Sequence, residues 1–177
     1  MSRKLPVSLE DLYTGAEKKM KVTRKLMDPS GRQVNAEKIL AIQVKPGWKA
    51  GTKIKFSGEG DETPSGTQDL EFVIEEKAHQ VYTRDNGDLK AKIQITLVEA
   101  LCGFKKQLPF LDGSVLSITN ASDARTTQPG SVIYMKGKGM PIAKSPGSKG
   151  DLLVTVNVVL PASLSPAQKQ EAAKLFG

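Results

Sequence analysis

The 177-residue chain contains one cysteine, one histidine and one tryptophan. A lone Cys102 excludes a disulfide within the chain and any Cys-rich zinc site. A lone His79 excludes multi-histidine metal centres and leaves little imidazole for acid–base chemistry. Aromatic residues make up 5% of the chain, too few for the stacked platforms that hold single-stranded nucleic acid. No apolar stretch is long enough to span a membrane as a helix, and no signal-peptide pattern opens the chain. Walker-type phosphate loops, the dinucleotide fingerprint and the Gly-x-Ser-x-Gly elbow are all missing. Cys102 lies in an apolar-flanked turn with no activating neighbour and reads as a small buried hydrophobe. His79, in Glu-Lys-Ala-His-Gln-Val-Tyr, reads as a structural hydrogen-bonding group. These absences describe a basic, globular, cytoplasmic protein that is not an enzyme and uses no metal, cofactor or membrane.

What is present begins with charge. The formal net charge is +7, unevenly placed: residues 1–90 carry 16 basic and 14 acidic side chains, residues 91–177 carry 10 and 5. Within the first half the signs are segregated. Lys18, Lys19, Lys21, Arg24 and Lys25 form one basic block and Lys45, Lys49, Lys53 and Lys55 another, while Asp69, Glu71, Glu75 and Glu76 form an acidic one. Such blocks are solvated strand faces or a cationic surface for an acidic partner, either nucleic acid or an acidic peptide. The basic blocks lack the interleaved aromatics of a nucleic-acid platform, with only Trp48 and Phe56 near the second.

The two halves repeat each other. Leu9-Glu-Asp-Leu-Tyr-Thr-Gly15 returns 88 residues later as Leu97-Val-Glu-Ala-Leu-Cys-Gly103. Gly51-Thr-Lys-Ile-Lys-Phe-Ser-Gly-Glu-Gly60 returns as Gly130-Ser-Val-Ile-Tyr-Met-Lys-Gly-Lys-Gly139, and Asp69-Leu-Glu-Phe-Val-Ile74 as Asp151-Leu-Leu-Val-Thr-Val156. Three matches in one order predict two small units of one design. Period-two alternation in Lys53–Ser57 and Val132–Lys136, and the β-branched run Leu152–Leu160, predict strands. Lys18–Arg24 places Met20 and Val22 on one strand face. Helix is scarce: single capped turns from Ser8 to Gly15 and from Thr96 to Gly103, and a terminal helix opened by Ser165, Pro166 and Gln168. Leu175 and Phe176 share a face of that last helix, apolar enough to dock on the second unit or on another chain.

Several longer stretches carry a family resemblance: Leu5-Pro-Val-Ser-Leu-Glu-Asp-Leu-Tyr-Thr-Gly15, Val44-Lys-Pro-Gly-Trp-Lys-Ala-Gly-Thr-Lys-Ile54, His79-Gln-Val-Tyr-Thr-Arg-Asp-Asn-Gly-Asp-Leu89, Leu101-Cys-Gly-Phe104 and Leu111-Asp-Gly113. From Leu5 to Phe176 the chain resembles the C-terminal substrate-binding region of the J-domain co-chaperones. The His-Pro-Asp motif of a J-domain is not in this chain, since His79 is followed by Gln80 and Val81. The Cys-x-x-Cys-x-Gly-x-Gly repeats of the zinc-containing class are missing too, with only a short connection from Leu26 to Lys38. The resemblance is therefore to the zinc-free type II class.

That resemblance implies an all-β fold of two tandem, mostly antiparallel β-sandwich-like domains with short helices and a C-terminal dimerisation helix. The expected divisions are a leader at 1–4 foreign to the family region, a first domain at 5–88, a second at 89–161 and the helix at 162–177. The implied function is capture of non-native, extended client polypeptide and its delivery to the 70-kDa heat-shock chaperone. Carried over by motif, Lys18, Met20, Val22 and Tyr82, with Leu5 nearby, form a peptide-binding pocket beside an edge strand that the client extends. Lys18, Lys19 and Lys21 bind the acidic C-terminal tail of the partner chaperone, and Leu175 and Phe176 pair two subunits into a homodimer. No cofactor, specific nucleic acid or membrane enters this picture. The alternative from another class is a basic nucleic-acid-binding β protein, favoured by net charge alone.

Overall fold

The computed structural model describes residues 1–120 and 125–177. Among these the first unit contains β1 (Ser2–Val7), α1 (Leu9–Thr14), β2 (Ala16–Met27), β3 (Gln33–Val44), β4 (Lys53–Phe56), β5 (Glu62–Thr63), β6 (Gly66–Thr67) and β7 (Leu70–Glu76). The second contains β8 (Tyr82–Asp85), β9 (Asp88–Thr96), α2 (Leu97–Cys102), β10 (Lys105–Pro109), β11 (Val115–Thr119), β12 (Val132–Met135) and β13 (Leu152–Val159), followed by α3 (Pro166–Phe176). The all-β class is as the sequence predicts.

The internal repeat is realised in the central strand pairing of each unit. In the first unit β1 runs parallel to β7 and β4 pairs antiparallel on the other side of β7. In the second, β9 runs parallel to β13 and β12 takes the place of β4. The amide of Gly51 donates to Ile74 O and that of Gly130 to Val156 O, both at 2.8 Å. Asp69 accepts from the Gly58 amide and Asp151 from the Gly137 amide, both at 2.9 Å. Helices α1 and α2 are capped by Ser8 and Thr96, each accepting from the amide three residues on, and each ends at a glycine of positive φ. The pairings are mostly antiparallel, as expected, and the central pair of each unit is the parallel exception. A helix and a hairpin intervene between β1 and β7, and again between β9 and β13, which is the long crossover a parallel pair needs.

Alternation places the core. Leu5 and Val7 of β1, Leu70, Phe72 and Ile74 of β7, and Leu40, Ile42 and Val44 of β3 are buried in the first unit. Leu89, Ile93, Ile95, Leu152, Val154 and Val156 do the same in the second. The two units share one continuous cluster of buried side chains. Full burial of each such aliphatic side chain stabilises by about 1.5–3 kcal/mol.

Three sequence expectations need correction. Residues 2–4, expected to lie outside the domain, are integral to β1: Ser2, Arg3 and Lys4 pair with Glu71, Phe72 and Val73, and the terminal ammonium donates to Asp69 O at 2.9 Å. Strand β8, expected at the end of the first domain, pairs with β9 in the second unit's sheet, Tyr82 opposite Ala91. Cys102 is exposed. A six-residue helix has one buried stripe; Ala100 occupies it in α2, and Cys102 lies two residues on, about 200° around the axis. In α1 the same stripe is filled by Leu9, Leu12 and Tyr13.

Helix α3 begins as predicted, with the Ser165 and Gln168 side chains exchanging bonds with each other's backbone amide and Pro166 at its start. None of its residues is buried, and Leu175 and Phe176 are each 71% exposed.

Candidate functional site

Strand β2 organises the site. Its even-numbered residues face inward and its odd-numbered residues face solvent. Lys18, Met20 and Val22 thus share the inner face, opposite Ile42, Leu40 and Lys38 of β3. Lys19 and Lys21 stand on the outer face, opposite Ala41 and Ile39. The structure therefore does not assemble Lys18, Lys19 and Lys21 into one cluster, because consecutive strand residues point to opposite sides.

The five residues expected to form a pocket also separate. Leu5 and Val22 are 1% exposed and Tyr82 is 2% exposed, so their side chains offer no open surface. Leu5 and Val22 join the first unit's core because both lie on the inward-facing rows of β1 and β2. Met20 is half-buried, packed against that core with part of its thioether chain in solvent. Lys18 lies on the same face, with its Nζ 2.5 Å from Asp11 Oδ2 of α1. Burial pushes the Asp11 carboxyl up, but hydrogen bonds from Lys18 and Ser8 and the charges of Lys18 and Lys77 outweigh it, and it titrates below its usual range.

Tyr82 belongs elsewhere, at the junction of the two units. Its hydroxyl donates to Pro109 O at 2.7 Å, and its ring meets Phe110 edge to face at 5.9 Å, with Tyr13 against Phe110 at 5.1 Å. Burial, and secondarily the Asp112 carboxylate, pushes the phenol up to about 12. It lines a cleft of about 470 Å³ with Leu9, Glu10, His79, Val81 and Phe110, and none of Leu5, Lys18, Met20 or Val22 is in its walls. His79 is structural there, as its sequence context suggests. Its Nδ1 accepts from the amides of Val81 and Tyr82 at 3.0 Å, and its Nε2 lies 3.0 Å from Glu10.

The edge of β2 carries the remaining geometry. The Lys25 amide donates to Asp61 and the Met27 amide to Glu62, both at 2.8 Å, while Thr23 O accepts from Arg3 at 2.9 Å. Odd-numbered residues therefore turn their backbone groups away from β3. The distal part of this edge is covered by those three side chains. Over Glu17, Lys19 and Lys21 no such cover exists among the described residues, which leaves an open strand edge beside Met20.

Much of the remaining charge is consumed internally. Lys53 and Lys55 of β4 pair with Glu71 of β7 and with Asp69 just before that strand, and Lys4 of β1 pairs with Glu75. Arg24 and Lys38 converge on Glu59, and Lys21 pairs with Glu37. The acidic block is the cross-strand complement of a basic one, and the first-half lysines form no continuous cationic track.

Arg84 was given no role by its sequence context. Its side chain is 4% exposed and donates to Asn86 O and Trp48 O at 2.8 Å, and to Gly47 O and Glu76 at 3.3 Å. It ties the β3–β4 turn of the first unit to β8 of the second. The signal was its place in the quoted Tyr-Thr-Arg-Asp-Asn-Gly motif, but local sequence does not show that the carbonyls of a turn some 36 residues earlier come to meet it. Among the described residues no three His, Cys, Asp or Glu side chains are grouped to hold a metal, and no helix is long and apolar enough to cross a membrane.

Residues 1–161 match the family described as DnaJ C terminal domain. Protein psi1 of Schizosaccharomyces pombe is 51% identical over 173 residues, covering 97% of this chain and 45% of that protein. DnaJ homolog subfamily B member 5 of Homo sapiens is 42% identical over 168 residues, covering 94% and 47% respectively. Protein SIS1 of Saccharomyces cerevisiae is 40% identical over 174 residues, covering 97% and 47%. The chain spans about half the length of these relatives. With that match over most of its length, and a duplicated β unit underneath it, the chain belongs to the DnaJ C-terminal domain family.

Proposed function

We propose that this chain is the client-binding region of a zinc-free J-domain co-chaperone, working in the cytoplasm by binding and not by catalysis. It captures extended segments of non-native polypeptide and presents them to the 70-kDa heat-shock chaperone. The observation that carries this reading is the uncovered edge of β2 at Glu17, Lys19 and Lys21, flanked on the inner face by half-buried Met20. A client strand that pairs with this edge gains main-chain hydrogen bonds whatever its sequence, and alternate side chains reach the Met20 thioether. Leu5 and Val22 act as the packed floor beneath it and Lys18 as its rim. An unbranched thioether adapts to side chains of varied shape. The edge lysines also oppose edge-to-edge pairing between two copies.

The acidic tail of the partner chaperone docks on the outer face of the same hairpin, where Lys19 and Lys21 flank exposed Ile39. Both lysines already have carboxylate neighbours, Glu17 at 3.9 Å and Glu37 at 2.7 Å, so an incoming tail exchanges one partner for another. Exposed pairs contribute about 0–1 kcal/mol each, which suits reversible handover. Exposed Leu175 and Phe176 pair two copies into a homodimer, doubling the sites presented to one client.

The decisive variant is Met20→Glu, which places a charge at the groove without disturbing a fully buried position. It is expected to fold, as judged by circular dichroism, and to lose suppression of client aggregation. Folded Met20→Glu with undiminished suppression would remove the groove from the mechanism. Tyr82→Glu is no substitute, because it would bury a carboxylate at the junction of the units.

A further inference from the structure

A second concave site lies far along the chain from Met20, where the β3–β4 turn of the first unit meets the β12–β13 loop of the second. It encloses about 460 Å³, within the roughly 300–1,000 Å³ of small-ligand pockets. Its apolar walls are Trp48, Pro141, Ile142 and Ala143, and its charged walls are Lys49 and Lys144. No carboxylate lines it. Lys49 Nζ touches only the neutral Asn86 side chain, at 3.3 Å, and Lys144 has no acidic partner within ion-pair distance among the described residues. This differs from β4, whose lysines are matched by Glu71 and Asp69. Ile142 is 39% exposed although it faces a concave surface.

The cleft is rigidly built. A Cβ added at Gly47 (φ +83°) would fall 2.6 Å from Pro141 O and 2.8 Å from Ala143 N, so the two walls touch at the base through glycine alone. Arg84 holds the Gly47 and Trp48 carbonyls. On the other side the Met140 amide donates to Gly87 O at 2.8 Å, and Pro141 bridges to Lys149. A site already in its binding shape avoids the cost of ordering loops around a ligand.

We propose that this cleft is a second peptide-binding site, which takes one bulky apolar side chain from an acidic segment of a partner protein. The side chain packs between Trp48 and Ile142, and flanking carboxylates of the segment meet Lys49 and Lys144. The charge pattern selects this partner: two cations without carboxylate partners around an apolar hollow complement an anionic segment with an apolar anchor. A nucleic-acid strand would want a row of bases stacked on aromatics, and the cleft has one aromatic residue. The site shares no residue with the β2 edge and stands independently of it.

Trp48 is the only tryptophan in the chain, so its fluorescence reports on this cleft alone. The probes are three short synthetic peptides: one leucine flanked by glutamates, the same with serine for leucine, and the same leucine flanked by lysines. Only the first is expected to shift Trp48 emission saturably. Ile142→Glu should weaken it by about ten-fold and Lys144→Glu by roughly three- to five-fold. Both positions are exposed, and circular dichroism checks that the variants fold. Met20→Glu, which disables the proposed client groove, should leave the Trp48 titration unchanged. Equal responses to the leucine and serine peptides would overturn the proposal. So would an unaltered titration in Ile142→Glu, loss of the signal in Met20→Glu, or a Trp48 response to a single-stranded oligonucleotide but not to the acidic peptide.

Discussion

Replacing Arg84 with methionine keeps most of the side-chain volume and removes every donor. Four acceptors then lose their partner: Asn86 O, Trp48 O, Gly47 O and the Glu76 carboxylate. The two bonds at 2.8 Å come from a charged donor, of a kind that contributes about 1.5–3 kcal/mol each. The two at 3.3 Å are near the limit of useful geometry and add little. Glu76 is 25% exposed and recovers part of its hydration when the guanidinium leaves. The expected loss is therefore about 3–6 kcal/mol, a large fraction of the ~5–15 kcal/mol by which a domain is stable. Urea unfolding followed by Trp48 fluorescence and by far-ultraviolet circular dichroism measures it. Trp48 should respond first if the turn loosens before the sheets melt. Arg84→Lys restores one nitrogen and should recover no more than about a third of the loss, because an ammonium cannot bridge divergent carbonyls as a planar fork does. A loss under about 1 kcal/mol in Arg84→Met would show that water replaces the guanidinium adequately, and that the reasoning from burial is wrong.

Three further outcomes follow from the same geometry. Tyr82 should ionise at about pH 12, seen by ultraviolet difference spectra and absent in Tyr82→Phe; because its folded value lies above the ordinary ~10, the stabilisation is complete below pH 10 and disappears as pH rises through 12. Asp11 is lowered, so its pairing with Lys18 supports the fold above about pH 3.9 and is lost as pH falls through the lower folded value. Asp11→Asn should remove about 0.5–1 kcal/mol at neutral pH and flatten this part of the acid unfolding curve; an unchanged curve would contradict the pairing. Leu175→Glu with Phe176→Glu should convert a dimer to monomer in sedimentation equilibrium, and a wild-type chain that is monomeric at high micromolar concentration would refute pairing through α3.

The fold was legible where sequence patterns are local or repeated. Ser8, Thr96 and Ser165 announce their helices because a cap is a contact over three residues. The repeat predicted two units of one design, and matched bonds such as Gly51 to Ile74 and Gly130 to Val156 are how the structure expresses it. Parallel pairing of β1 with β7 was not legible, since alternation gives the face of a strand but not the direction of its neighbour. Tyr82 was misplaced for the same reason. Its motif is contiguous with the first unit, yet the turn at Asn86 folds it back on β9 and into the junction with Phe110. The separation of Lys18 from Lys19 and Lys21 could have been read from period two alone. Proximity in sequence suggested a cluster where a strand guarantees opposite faces.

The duplication also clarifies what Lys18 does first. Its ion pair with Asp11 recurs 88 residues on as Lys106 with Glu99, at 3.0 Å. In both units a lysine on the strand after the helix holds an acid in the helix's first turn. What differs is the neighbourhood. Leu108, the counterpart of Met20, is buried on a five-residue strand, whereas Met20 sits half-exposed on a twelve-residue one. A contact preserved in both units, although only the first sets a half-exposed apolar residue at this position of the strand, is explained by helix–hairpin packing before it is explained by ligand binding. Lengthening the hairpin, not adding a lysine, is what separates the first unit from its copy. Loss of client binding on mutating Lys18 would therefore mix a packing defect with a missing contact, and Met20 is the residue that isolates the groove.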